Sequence, residues 1–258
     1  MSELDFSDMA GTGSSSAASV LALLVVAAGS GSRLGAGRPK AAVQVAGRCL
    51  LDWALEGALA SGVFARLVVT VPPGDTELRE VCARYGALAV EGGASRAESV
   101  TAGLGALAAA PILPGASDLE PRGVLVHDAA RCFTPASVYR RVAAALAAGE
   151  RAVIPVLPVV DTIKQVTADG YVSGTPARSD LRAVQTPQGF DLPTLRQAHR
   201  DVASLDPAVA EGITDDAMLA EALGLPVATV EGAAEAFKIT TPLDLSLARA
   251  LYAEGRIG

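Results

Sequence analysis

Residues 20–41 read VLALLVVAAGSGSRLGAGRPKA, and the reading of this stretch decides the fold. From Val20 to Ala27 the run is apolar without interruption. A strand with one wet face alternates apolar and polar residues, whereas an unbroken run belongs to a strand covered on both faces, as in a parallel sheet between two layers of helices. The run empties into a loop with four glycines, Gly29, Gly31, Gly35 and Gly37, and then reaches Arg33, Arg38 and Lys40. Bare backbone lets N–H groups approach an anion, and the cations add charge. The loop is not a dinucleotide fingerprint, because Leu34 stands where a third glycine belongs. Nor is it a P-loop, since Lys40 follows Pro39 and no Gly-Lys-Ser/Thr is present.

Outward from this stretch, further apolar runs of strand length stand at 67–71, 87–91, 123–127, 152–156, 226–230 and 236–240. Longer amphipathic segments near 50–60, 75–85, 96–109, 135–148, 191–201, 214–223 and 242–254 read as helices between them. The alternation predicts a mostly parallel sheet with helices on both faces, whose ligands sit beyond the carboxyl ends of the strands. Residues 157–185 break the pattern. They alternate β-formers around Ala168-Asp169-Gly170, a hairpin signal, with too few apolar residues for a core of their own. Such an arm rests on a partner subunit or packs back on its own domain.

Bulk properties narrow the partners. A chain of 258 residues with 50% hydrophobic content buries a large core, and a net charge of -7 argues against nucleic acid or an anionic membrane surface. Cysteines 49, 82 and 132 lack CxxC spacing, which suits a reduced cytoplasmic protein better than a disulfide framework or a zinc site. Residues 1–19 are acidic and then Gly/Ser/Ala-rich, which reads as a disordered tail ahead of one domain at 20–258.

Two more polar segments follow strand ends. In EGGASRAES (91–99), paired glycines precede Ser95, Arg96 and Ser99 at a helix start, where free N–H groups favour an acceptor-rich ligand. In HDAAR (127–131), Asp128 can hold a divalent metal or a sugar hydroxyl, with Ala129 and Ala130 leaving space, while His127 reads as a structural hydrogen-bonder. Of 21 basic residues only Lys40, Lys164 and Lys238 are lysines, so each is a candidate compact point charge. Lys238, inside AFKIT, is costly to bury without an anion beside it.

In order along the chain, AAGSGSRLGAGRPK, GGASRAESV, LVHDAAR, DTIK, RSDLRAVQTPQ, ITDD and VEGAAEAFKITTPLDL resemble the bacterial 2-C-methyl-D-erythritol 4-phosphate cytidylyltransferases of the non-mevalonate isoprenoid pathway. The resemblance covers residues 20–252. It implies a Rossmann-like, GT-A-like nucleotidyltransferase that moves CMP from CTP to methylerythritol phosphate and releases pyrophosphate, with Mg2+ or another divalent cation. It also implies a homodimer joined through an arm at about 158–183. By motif, Ala27, Ala28, Gly29, Gly31, Gly93, Arg96, Ser99 and Ala129 would line the CTP site. Arg33 and Lys40 would neutralise the triphosphate. Asp128 and Arg131 would sit at the ribose, metal and acceptor side, and Thr162, Arg178 and Lys238 would fix the acceptor phosphate, Arg178 in the neighbouring subunit's site. Ala94, in place of an acidic residue, Cys132, in place of a proline, and the bland PKAAVQVAG depart from the family pattern. Two alternatives stay open: a ribitol 5-phosphate cytidylyltransferase, and a nucleotide-binding regulatory protein on this scaffold without catalysis.

Overall fold

The computed structural model describes residues 20–31, 34, 35, 37–202 and 215–258. The tail at 1–19 and Arg33 lie outside the described residues.

The opening apolar run forms β1 (Leu21–Val26), and its two faces go to two different cores. Leu21, Leu23 and Val25 join one cluster and Ala22 and Leu24 the other, so the unbroken pattern is a strand read from both sides. A small antiparallel pair follows, β2 (Gln44–Val45) and β3 (Arg48–Cys49), leading into α1 (Leu50–Leu59). The chain then runs through β4 (Phe64–Val71), α2 (Thr76–Arg84), β5 (Leu88–Glu91), α3 (Arg96–Ala106), β6 (Gly123–Asp128), α4 (Ala136–Ala147) and β7 (Ala152–Pro158). Side chains of α1, α2 and α4 fill the first cluster and those of α3 fill the second, which sets helices on both faces of the sheet.

Beyond β7 come the hairpin β8 (Gln165–Val166) and β9 (Val172–Gly174), then β10 (Arg182–Val184), β11 (Gln188–Asp191), α5 (Leu192–Val202), α6 (Asp216–Ala222), β12 (Ala228–Glu231) and α7 (Pro242–Ala253). The sheet order is β10-β7-β11-β6-β1-β4-β5, with β12 also paired to β7. All its pairings are parallel except those made by β10 and β11. Strands β1 and β6 lie side by side in unbroken register, Val25 opposite His127 and Val26 opposite Asp128.

Two elements differ from the sequence reading. The apolar AFKIT is not a strand: a 3-10 turn at Ala234–Ala236 leads into irregular chain, and the Ile239 N–H donates to the Ala130 carbonyl at 2.9 Å. Its apolar residues serve a third core instead, where Ile239 and Phe237 pack with Trp53 and Phe133. Conversely, β11 was not anticipated, because QGFD carries one large apolar residue. That residue, Phe190, is fully buried in the second core.

Candidate active site

The carboxyl ends of β1 and β6 open together. After β1, Ala27, Ala28 and Gly29 form the floor of a cleft, and the Ala27 N–H is already spent on the Thr70 carbonyl at 2.8 Å. Nothing lies within 4 Å of a Cβ added at Gly29, so this backbone faces open space. Gly31 has another task. It sits at φ +71°, and a Cβ there would meet the Lys40 Cβ at 3.0 Å, so the missing side chain makes room for the lysine stem. The Lys40 N–H donates to the Gly29 carbonyl at 3.2 Å, and the lysine lines the cleft.

The second wall comes from the turn after β5. A Cβ at Gly92 would lie 2.4 Å from that of Ala28, and one at Gly93 would lie 2.3 Å from the Glu98 Cβ, so the first glycine lets the turn touch the floor and the second lets it fold against the start of α3. Ser99 closes the turn, accepting from the Gly93 N–H at 3.1 Å and donating to the Ser95 carbonyl at 2.9 Å. Ser95 caps α3 by accepting from the Glu98 N–H, and Glu98 Oε2 accepts from the Ala94 N–H at 2.9 Å, so the turn is held by a glutamate even though position 94 carries no acid.

The third wall carries the charge. Asp128, the last residue of β6, holds Lys238 Nζ at 2.7 Å on Oδ2, while Arg96 Nε stands 3.6 Å from Oδ1. Burial alone would raise the Asp128 carboxyl, but Lys238 and Arg96 outweigh it and keep the group well below the usual carboxylate range. Lys238 thus has the anion its position demands, although the segment bearing it is not a strand. Ala129 completes this wall, giving a cleft of about 470 Å³ with Lys40, Arg96, Asp128 and Lys238 on its surface.

A scan against family models matches residues 21–254 to the 2-C-methyl-D-erythritol 4-phosphate cytidylyltransferase family. The chain belongs to that family. Proteins of that name from Rhodococcus opacus and Rhodococcus jostii are 51% and 50% identical over 233 residues, which is 90% of this chain and 95% of each relative. The solved structure of the Thermus thermophilus protein of that name superposes with a TM-score of 0.71 at 39% identity, covering 91% of this chain and 99% of that one. A 4-diphosphocytidyl-2C-methyl-D-erythritol synthase from Anaerococcus prevotii gives 0.76 at 26% identity, over 92% and 99%.

Within this cytidylyltransferase fold, several residues singled out in the sequence stand elsewhere. Arg131 does not line the cleft: its guanidinium donates to the carbonyls of Ala236 at 2.8 Å and Val184 at 3.2 Å, clamping the segment that carries Lys238. Thr162 and Arg178 belong to the arm and do not line the cleft of their own chain; Arg178 donates to the Val160 carbonyl at 2.7 Å. His127 is fully buried, with Nδ1 at 3.0 Å from Thr186 Oγ1, and burial lowers its pKa to about 4. The same hydroxyl oxygen accepts from the Asp128 N–H at 3.1 Å. His127 therefore supports the strand end rather than exchanging protons with a substrate. Two supporting residues escaped sequence reasoning, Thr186 and Asp216, the latter bonded to Arg96 Nη1 at 2.7 Å. The motifs TPQ and ITDD contained them, but nothing local distinguishes a support from a loop residue.

Proposed function

We infer that this cleft is where the cytidylyltransferase moves CMP from CTP to the phosphate of 2-C-methyl-D-erythritol 4-phosphate. An acceptor phosphate oxygen forms a bond to the α-phosphorus, the bond to the bridging oxygen of the β-phosphate breaks, and pyrophosphate leaves. The observation that carries the reading is Asp128, paired with Lys238 at 2.7 Å and approached by Arg96 at 3.6 Å, beside an open glycine turn. A phosphate nucleophile is already ionised near neutral pH, so no general base is needed, and positioning with charge stabilisation suffices. In this reading the backbone of Ala27 to Gly29 and the turn at Gly93 hold the nucleotide. Lys40 takes up charge on the triphosphate. Asp128 keeps the Lys238 ammonium paired and aimed, ready for the acceptor phosphate.

A divalent cation fits the donor set. Magnesium takes one or two carboxylates and leaves its other positions to phosphate oxygens and water, and Asp128 Oδ1 is the less tightly held oxygen of its pair. When bound there, the cation would neutralise the triphosphate oxygens.

The arm supports a homodimer. Val160, Val166, Tyr171 and Val172 are all more than half exposed on it, a row of apolar residues without cover on their own chain. In a dimer, Thr162 and Arg178 reach the partner's cleft. Cys49, Cys82 and Cys132 are all free and buried, which suits a reducing cytoplasm. The test is pyrophosphate release from each nucleoside triphosphate with methylerythritol phosphate or ribitol 5-phosphate as acceptor. Turnover confined to CTP with methylerythritol phosphate is expected, and preference for ribitol 5-phosphate would overturn the reading.

A further inference from the structure

Behind the cleft wall lies a chain of buried polar groups that the reaction described above does not use. Arg96 opens α3 with its side chain 26% exposed, and on the far side of its guanidinium sits Asp216, at 1% exposure, at the start of α6. Nη1 donates to Asp216 Oδ2 at 2.7 Å. Oδ1 of the same carboxylate is 3.0 Å from His199 Nε2, and His199 Nδ1 is 3.1 Å from Thr101 Oγ1. An ionised carboxylate only accepts, so Nε2 carries the proton that faces it.

Burying a carboxylate, a guanidinium and an imidazole together is seldom a gain in stability over apolar packing of the same volume. What the arrangement does supply is geometry. Arg96 stands between two carboxylates, gripped by Asp216 and only approached by Asp128, whose nearer oxygen is 3.6 Å from Nε. Without the rear grip the guanidinium would close on Asp128 as a two-pronged pair, the arrangement a fork of N–H donors prefers. Asp128 would then be drawn away from Lys238 and the nucleotide would face a turned arginine.

We propose that Asp216 is a positioning residue, which holds Arg96 off Asp128 and aims it at the nucleotide, with His199 fixing Asp216 in turn. The inference rests on the reading that Arg96 faces CTP. Asp216→Asn keeps the shape and removes the charge. It is expected to raise the Kd and KM for CTP about tenfold, the scale of one charge-assisted hydrogen bond, with kcat changed less than KM. The discriminating measurement is a cycle with Arg96→Ala. If Asp216 acts through Arg96, then Asp216→Asn has no further effect on CTP binding in the Arg96→Ala background. Additive losses, or a change in melting temperature with CTP binding intact, would make Asp216 a packing residue and overturn the proposal. Asp216→Glu, which keeps the charge but pushes the carboxylate forward, should raise the Kd likewise and serves if the asparagine variant does not fold. Calorimetric CTP binding without acceptor keeps the outcomes separate. Failure of turnover with methylerythritol phosphate would strike the functional reading alone, whereas an intact Kd in Asp216→Asn strikes this one.

Discussion

Lys40 is held by its surroundings before any substrate arrives. Its N–H is tied to the Gly29 carbonyl and its Cβ lies beside the bare backbone of Gly31, so the root of the side chain is held at the edge of the cleft. Such a preorganised charge acts most where charge develops. Lys40→Ala should therefore lower kcat by about 10² to 10³, the range for losing one transition-state donor. CTP affinity should fall much less, because the loop's backbone donors remain, and Lys40→Arg should recover only part of the rate because the planar fork is wider than an ammonium. Calorimetry of CTP beside steady-state kinetics checks this; unchanged kcat with weakened binding would falsify the transition-state role. His127 offers a second test at this scale, in pH. Its folded pKa of about 4 lies below the ordinary 6.5, so the unfolded chain takes up the proton first. The stability it contributes is complete above about 6.5 and is lost as pH falls toward 4, a loss of about 3 kcal/mol. Asp128 acts in a separate window, since a depressed carboxyl loses its contribution only as pH falls below the ordinary 3.8. Melting temperatures between pH 7 and 4 should decline in the wild type and decline less steeply in His127→Asn.

At the level of elements, the cleft depends on how closely a turn can approach a strand end. Gly92 abuts both Ala28 and Ser99, and an added Cβ would fall 2.8 Å from the serine Oγ. Gly92→Ala should part the two walls. A Kd for CTP raised at least tenfold, with a melting temperature lowered by only a few degrees, is the expected result on the scale of a one-methyl overpacking cost of about 1–3 kcal/mol. This kind of contact also marks the boundary of what the sequence discloses. The paired glycines were visible as a loop signal, and the unbroken run Val20 to Ala27 announced a doubly covered strand, because both are local patterns. AFKIT misled for the same reason: apolar residues facing the third core look like a strand until the Ala130 carbonyl is seen to take the Ile239 N–H. Arg131 and Asp216 could not be placed from sequence at all. Their partners, Ala236 and Arg96, are 105 and 120 residues away along the chain, and only tertiary folding decides whether a cation meets a ligand or a carbonyl.

For the whole molecule, the arm is the part on which the proposed dimer is tested. Shortening the tip Thr167–Val172 removes Tyr171 and Val172, both exposed. The proposed outcome is a monomer with a raised KM for the acceptor and a CTP affinity close to the wild type, read by light scattering and kinetics. A dimer of undiminished activity would show the arm to be a surface hairpin. The paired register of β1 and β6 bears on motion as well as shape. One side of the cleft grows from the centre of a hydrogen-bonded ladder, Val25 level with His127 and Val26 level with Asp128. The other hangs from Arg131, from the bonds of Gln185 to Ala233, from single backbone bonds of Gly232 to Val156 and of Ile239 to Ala130, and from one Lys238 ion pair. The cleft is therefore expected to open from that side first. Amides of Leu23 to Val25 and Val124 to Val126 should exchange with deuterium only through global unfolding, while those of Gly232, Ala233 and Ile239 exchange through local opening, and faster. In the proposed reaction the strand ends would then serve as the fixed side against which the nucleotide rests, and the Lys238 side is the one expected to yield when product leaves.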